Sequence, residues 1–335
     1  MEERSTPNDP AVTVLMAVRN GERHLRAAIE SVLEQTFLDF EFLIVDDASV
    51  DATGVVISSY DDPRIRLVEN SEHRGLTASL NRGVGLARGR YLARMDADDL
   101  SDPERLERQV EFLEAHPECA LVATYARKID SNGSEVGVAR TPVSAEETRQ
   151  LLRRGNCITH GTVMIRSDAL RRFGAYDPAM ERSQDYDLWL RLSEQSDLGT
   201  LPEFLYSWRE HDASISGRHL AQQDRFAELA RHRALLRRVG ALLVPSGSED
   251  DSAEARALRV LDLIREEQAL RAPPAQGGRL VRWWRRAGPA SRRRRLRERE
   301  QWSAVHELVS ELDSGRADTD AASAAIVGWI EAAAP

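Results

Sequence analysis

The chain has 335 residues, 41% of them apolar and 30% charged, with a formal net charge of −9. This is the composition of a soluble globular protein long enough for one large α/β domain, a smaller appendage and a deep site, and its acidic balance argues against a nucleic-acid partner. No stretch approaches the about 18 apolar residues of a membrane span, and the start MEERSTPNDP lacks a signal-peptide pattern, so the cytoplasm is the expected compartment.

Residues 1–10 are expected to be disordered. Val12 to Val18 form a continuous apolar, β-branched run that predicts a fully buried strand. Leu25, Ala28, Ile29, Val32 and Leu33 then recur at helical spacing, and Phe42 to Asp46 returns as a second strand, completing a βαβ unit. The pattern repeats. Ser49 can cap a helix through about Tyr60, Ile65 to Val68 read as a strand, Leu76 to Ala87 as a helix and Tyr91 to Met95 as a strand. An open, mainly parallel sheet with helices on both faces is the economical arrangement.

Asp102 and Pro103 sit where an N-cap and first helical residue belong, with Leu106, Val110 and Leu113 as the buried stripe. The acids just before them therefore lie on a loop. Cys119 to Tyr125 reads as a strand and Asn132-Gly133 as a tight hairpin turn, which mixes antiparallel strands into the second half. From about Arg218 the chain becomes helical and charged. Pro273-Pro274 with Gly277-Gly278 marks a linker, and Ala321 to Trp329 is a helix candidate. Cys119 and Cys157 are too few for a disulfide framework or a thiolate zinc site.

Three constellations can carry chemistry. Asp96, Asp98 and Asp99 follow a buried strand at the carboxyl end of a parallel sheet, where α/β folds bind ligands. Carboxylates there suit a hard divalent cation whose shell substrate phosphates complete. The alternative is that they cap the next helix, which fits Asp99 and Asp102 better than Asp96 and Asp98. Asp46-Asp47 ends the second strand and can accept hydrogen bonds from a base or ribose, or can simply close the strand and cap a helix. Asp185 opens a helix whose Leu188 and Leu192 point inward. It can face a cleft and take a proton from an attacking hydroxyl, or it can act as a helix cap. His211 by itself reads as a surface histidine.

The segments AVRNGERHL (17–25), LEQTFLDFEFLIVDDAS (33–49), GLTASLNRGVGLARGRYLARMDADD (75–99), HGTVMI (160–165) and QDYDLWLRL (184–192) together resemble family 2 glycosyltransferases in order and spacing. The resemblance spans residues 11–216. It implies a GT-A fold with a mixed, mainly parallel sheet; beyond it the residues themselves read as a helical extension over 217–272 and a basic linker and helical tail over 273–335. The resemblance further implies an inverting transferase that moves a sugar from a nucleotide sugar, a UDP-sugar first, to a glycan or lipid-linked acceptor with manganese or magnesium as cofactor. By the same resemblance Ala17 and Arg19 line the base pocket, and Asp47 accepts a hydrogen bond from the base. Asp96 touches the ribose, Asp98 binds the cation, Asp185 is the catalytic base and His211 completes the metal shell. Arg74, beside Gly75, is a further candidate for donor contact.

Three positions depart from the family pattern. Arg19 stands where relatives often carry an aromatic, Ala48 where they often carry glycine and Gln184 where an acid commonly precedes the base. Competing readings are a nucleotidyltransferase and a catalytically inactive nucleotide-sugar-binding scaffold. The first lacks its early Gly-rich phosphate loop here, since Val18-Arg19-Asn20-Gly21 follows the first strand and Gly83, Gly85 and Gly89 miss the GxGxxG spacing. Against the second stands the joint presence of Asp96, Asp98 and Asp185. Late in the chain, residues 279–299 hold ten arginines, one acid and the pair Trp283-Trp284. That stretch reads either as peripheral membrane or acidic-partner contact or as a solvated face, and Pro289 interrupts any single long helix.

Overall fold

A computed structural model describes residues 9–210 and 220–243, with 259, 260, 262, 263 and 266. The chain divides into two compact units, Met1–Arg231 and His232–Pro335, and the sheet lies in the first. His211, the linker at 273–278, the arginine-rich stretch 279–299 and the helix candidate at 321–329 lie outside the described residues. Leu220–Leu243 is helical. Among the described residues no helix is long and apolar enough to cross a membrane.

The elements run β1 (Val12–Val18), α1 (Leu25–Leu33), β2 (Phe40–Asp46), α2 (Thr53–Ser58), β3 (Ile65–Glu69), α3 (Leu76–Leu86), β4 (Tyr91–Met95) and β5 (Leu100–Ser101). They continue with α4 (Arg105–Ala115), β6 (Cys119–Ile129), β7 (Glu135–Ala139), α5 (Ala145–Leu152), a 3₁₀ turn at His160–Thr162, β8 (Met164–Arg166), α6 (Ser167–Phe173), α7 (Gln184–Ser193) and β9 (Asp197–Arg209). Among the described residues the strands form one sheet in the order β3-β2-β1-β4-β8-β6-β9-β5, with β7 added to β6. β1 pairs in parallel with both β2 and β4. β8 is antiparallel to β4 and to β6, so the sheet changes character at its middle.

The apolar runs explain the pairing. Every residue of β2 is buried, as a strand covered on both faces requires. α1 places Leu25, Ala28, Ile29 and Val32 against this core, the stripe expected from their spacing. α3 lies close on β1 because Gly83 has no side chain, and a Cβ there would overlap Leu15. The Asn132-Gly133 turn forms as expected between β6 and β7, with Gly133 at φ 90°.

Two helix starts differ from expectation. The helix expected from Ser49 begins only at Thr53, because the Ser49 hydroxyl donates to Asp46 and accepts the Asn20 N–H, while Asp51 receives the Thr53 N–H. α4 begins at Arg105, two residues beyond the expected Pro103. Gln35, reaching across from the end of α1, accepts the Leu106 N–H at 3.0 Å, whereas the Asp102 carboxylate accepts the turn N–H of Glu104. A side chain 71 residues away supplies the cap.

Ala48 is held at φ 54°, a left-handed conformation that explains why glycine suits this position. That conformation costs a residue with a Cβ about 1 kcal/mol or more. Ala48→Gly should therefore raise stability by roughly 1 kcal/mol, seen as a higher urea midpoint with unchanged slope. A lowered midpoint would refute the strain.

Candidate active site

The parallel register aligns the strand ends. Val18 pairs with Asp46, Asp46 with Glu69, and Met16 with Met95, so the loops after β1, β2, β3 and β4 leave the same carboxyl edge. β1 stands between strands reached in opposite directions, and such a switch point opens a crevice. Half-buried Ala17, exposed Arg19, Asp47, exposed Arg74, Asp96 and Asp98 all lie on or beside that edge. A depression lined by Glu69, Asn70, Ser71, Arg74 and Arg82 borders it.

Asp47 is only 3% exposed. Its Oδ1 accepts from the Asn70 amide at 2.7 Å and the Arg74 N–H at 2.8 Å. Its Oδ2 accepts the Gly75 N–H at 2.8 Å and lies 2.7 Å from His73 Nδ1. A carboxylate has about four acceptor positions, so this one is fully engaged in closing the 70–75 loop. Burial alone would push its pKa up, but hydrogen bonds from Arg74, Asn70, Gly75 and His73 outweigh it and hold the carboxyl at about 2, below its ordinary 3.8.

The loop after β4 is braced from beneath. Asp99 is 1% exposed, accepts from the Tyr206 hydroxyl at 2.8 Å and from the Arg209 N–H at 2.7 Å. The Tyr206 oxygen in turn accepts the Asp96 N–H, and Arg209 Nε donates to the Asp98 carbonyl at 2.8 Å. Burial, then the neighbouring Asp98 charge, push the Asp99 pKa up to about 7. Tyr206 fits here because Gly161 lacks a Cβ, which would collide with its ring and hydroxyl. Asp99 is therefore structural, as a tether to β9 and not as a helix cap. Asp96 and Asp98 remain half-buried at the cleft, and Asp96 Oδ2 pairs with Arg94.

Among the described residues no group of three or more His, Cys, Asp or Glu side chains is arranged to hold a metal. The donor set at the edge is a short run of carboxylates, which fits a hard cation that takes one or two protein oxygens and completes its shell with substrate phosphate and water. It does not fit a closed protein cage.

Asp185 lies in the first turn of α7, after Ser183 at φ 52°. Asn156 donates to its Oδ2 at 2.8 Å. Burial pushes its pKa up, while the Tyr186 N–H, the Asn156 amide and the Arg94 charge act in the opposite sense. Nearby, His160 Nε2 lies 2.8 Å from the Tyr176 hydroxyl, and burial together with Arg94 keeps His160 well below its ordinary pKa. α3 secures this side. Asn81 exchanges two hydrogen bonds with the Tyr176 backbone, and the Thr77 hydroxyl donates to the Met180 carbonyl. Deeper in α7, Asp187 pairs with Arg191 at 2.9 Å, and Arg191 donates to the carbonyls of Phe173, Gly174 and Ala175.

Sequence reasoning passed over Arg94, Asn156, Tyr176 and Tyr206, and the loop residues Asn70 and His73. A signal existed for Arg94 alone, a charge inside the apolar run Tyr91 to Met95. The others act across long separations that local pattern does not record.

The depressed Asp47 pKa is a stability statement. The folded group ionises near 2 and the unfolded near 3.8, so its contribution is complete above about pH 4 and disappears as pH falls through about 2. Asp47→Asn should cost roughly 2 kcal/mol at neutral pH and flatten the acid limb of the stability profile between about pH 4 and 2. Urea midpoints across that range test it, and an unchanged acid limb would contradict it.

The family model described as glycosyl transferase family 2 matches residues 13–174. The putative glycosyltransferase EpsE of Bacillus subtilis is 39% identical over 215 residues, which cover 62% of this chain and 76% of EpsE. The O-antigen biosynthesis glycosyltransferase WbnJ of Escherichia coli is 31% identical over 216 residues, covering 63% of this chain and 84% of WbnJ. Among solved structures, S. aureus TarS 1–349 in complex with UDP-GlcNAc superimposes with a TM-score of 0.57 at 16% identity, over 76% of this chain and 72% of that one. That likeness establishes the GT-A fold. The mixed, mainly parallel sheet and these relatives together place the chain in glycosyl transferase family 2.

Proposed function

We propose that this glycosyltransferase moves a sugar, with inversion, from a nucleoside diphosphate sugar to an acceptor hydroxyl. The observation that carries the reading is the pairing of a braced acidic loop, Asp96 to Asp99, with a desolvated carboxylate, Asp185, that Arg94 also influences. Asp96 contacts the ribose and Asp98 binds the cation, with His211 as a further ligand from the resemblance. Arg19, Ala17 and Arg74 contact the donor. Asp47 shapes the donor pocket through the 70–75 loop, and its engaged oxygens would have to exchange a partner to meet the base.

The bond changes follow from this placement. The acceptor oxygen forms a bond to the anomeric carbon as the bond from that carbon to the phosphate oxygen breaks. The nucleoside diphosphate leaves with the electron pair, and Asp185 takes the acceptor proton. A divalent cation bound at Asp98 would neutralise negative charge on the diphosphate. Asn156 fixes one Asp185 oxygen, and burial makes the ionised carboxylate a stronger base.

A UDP-sugar is the donor favoured here, since the TarS neighbour is described with UDP-GlcNAc. A glycan or lipid-linked acceptor suits relatives named for O-antigen and amylovoran biosynthesis. The acceptor is then met at the cytoplasmic face of the membrane.

Asp185→Asn should lower the transfer rate by about 10²-fold or more while leaving donor affinity within about twofold. Full turnover by this variant would refute the base assignment. Asp98→Ala should abolish the manganese-dependent part of the thermal stabilisation by UDP-sugars, because a ligand bound only to the folded state raises its melting temperature. Equal stabilisation of wild type and Asp98→Ala would remove Asp98 from the metal site.

A further inference from the structure

Arg94 is a buried cation without the compensation that the other buried arginines receive. It is 1% exposed within a strand otherwise made of Tyr91, Leu92, Ala93 and Met95. Arg105, equally buried, donates to the Arg94 and Val163 carbonyls and to Gln109, and stacks on Tyr206 at 5.0 Å. Partly buried Arg191 uses its fork on Asp187 and three carbonyls. Arg94 forms an ion pair with Asp96 through Nη1, but neither that nitrogen nor Nε has a hydrogen-bond partner. A charge removed from water is destabilising unless its hydrogen-bonding positions are matched, so it is costly to keep for packing alone.

Its surroundings supply the reason to keep it. Asp96 lies two residues on, on the same face of the chain leaving β4, and its Oδ2 is the oxygen that pairs with Arg94. Its Oδ1 is then the oxygen that can accept from a ribose hydroxyl. The Arg94 charge also acts on Asp185 from α7, on Tyr176 and His160, which share a 2.8 Å contact, and on Tyr206 from β9. The Arg94 charge thus acts on groups from both α7 and β9.

We propose that Arg94 is a positioning residue that aims Asp96 at the donor ribose and places a positive charge beside the pocket of Asp185. The proposal rests on the glycosyltransferase reading above. Arg94 touches no reacting atom in this role. It acts by restricting the rotamer of one carboxylate and by countering the desolvation of another.

A double-mutant cycle on donor affinity separates this role from a packing role. UDP and UDP-sugar dissociation constants with manganese are measured for wild type, Arg94→Gln, Asp96→Asn and the double variant, each checked for folding by thermal melting. Each single change should weaken binding about tenfold, and the double variant should be no weaker than the worse single. At saturating donor, Arg94→Gln should also lower kcat about tenfold or more, with Arg94→Lys recovering a substantial part because it keeps the charge. An additive cycle, or a kcat unchanged in Arg94→Gln, overturns the proposal. If Arg94→Gln does not fold, the cycle is run with Arg94→Met, which also removes the charge, and an additive result overturns it equally. A wild-type protein that binds no nucleoside diphosphate or nucleoside diphosphate sugar overturns the functional reading and this assignment with it, whereas donor binding and transfer with additive variants overturns the Arg94 role alone.

Discussion

The buried Asp99 carboxylate joins the two halves of the sheet at the site. It follows the last strand of the parallel half, and its partners, the Tyr206 hydroxyl and the Arg209 N–H, belong to β9 of the mixed half. A carboxyl group so buried is costly unless hydrogen-bonded, and both of its oxygens are used. The geometry of Asp96 and Asp98 depends on this tether. Tyr206 receives the Asp96 N–H and Arg209 holds the Asp98 carbonyl, so the backbone on either side of Ala97 is set by a strand about a hundred residues away.

A comparable division of labour runs through the other acids. Asp46 and Asp47 both build, whereas of Asp185 and Asp187 one presents and one builds. Asp46 receives the Ser49 amide and hydroxyl, shaping the turn that holds Ala48 in its left-handed conformation, and Asp47 closes the 70–75 loop. Asp187 secures Arg191 and the loop ahead of α7, and Asp185 faces Asn156. Catalytic sites require such bracing because a carboxylate displaced by about 1 Å loses much of its effect.

α3 connects the two sides of the cleft. Its first residue follows Gly75, which Asp47 holds, and its Thr77 and Asn81 grip the segment carrying Tyr176 and Met180. Gly83 lets the same helix seat against β1. The 70–75 loop, α3 and the segment from Tyr176 to Met180 are therefore one hydrogen-bonded structure.

Sequence alone determined the strands and helices of the first half, because continuous β-branched runs and helical apolar spacing are local signals, and it marked Asp47, Asp96, Asp98 and Asp185 because acids stand out at the ends of such elements. It left Asp99 between a cap and a ligand, and it placed the caps of α2 and α4 on neighbouring side chains. Tertiary structure decided these points. Gln35 caps α4 from the end of α1, Asp99 is claimed by β9, and Asp47 spends its lone pairs on a loop more than twenty residues on. Arg94 shows the same limit. Its burial could be suspected from its strand, but the groups gathered around it come from four segments whose approach is set by strand pairing, a long-range property that no local pattern encodes.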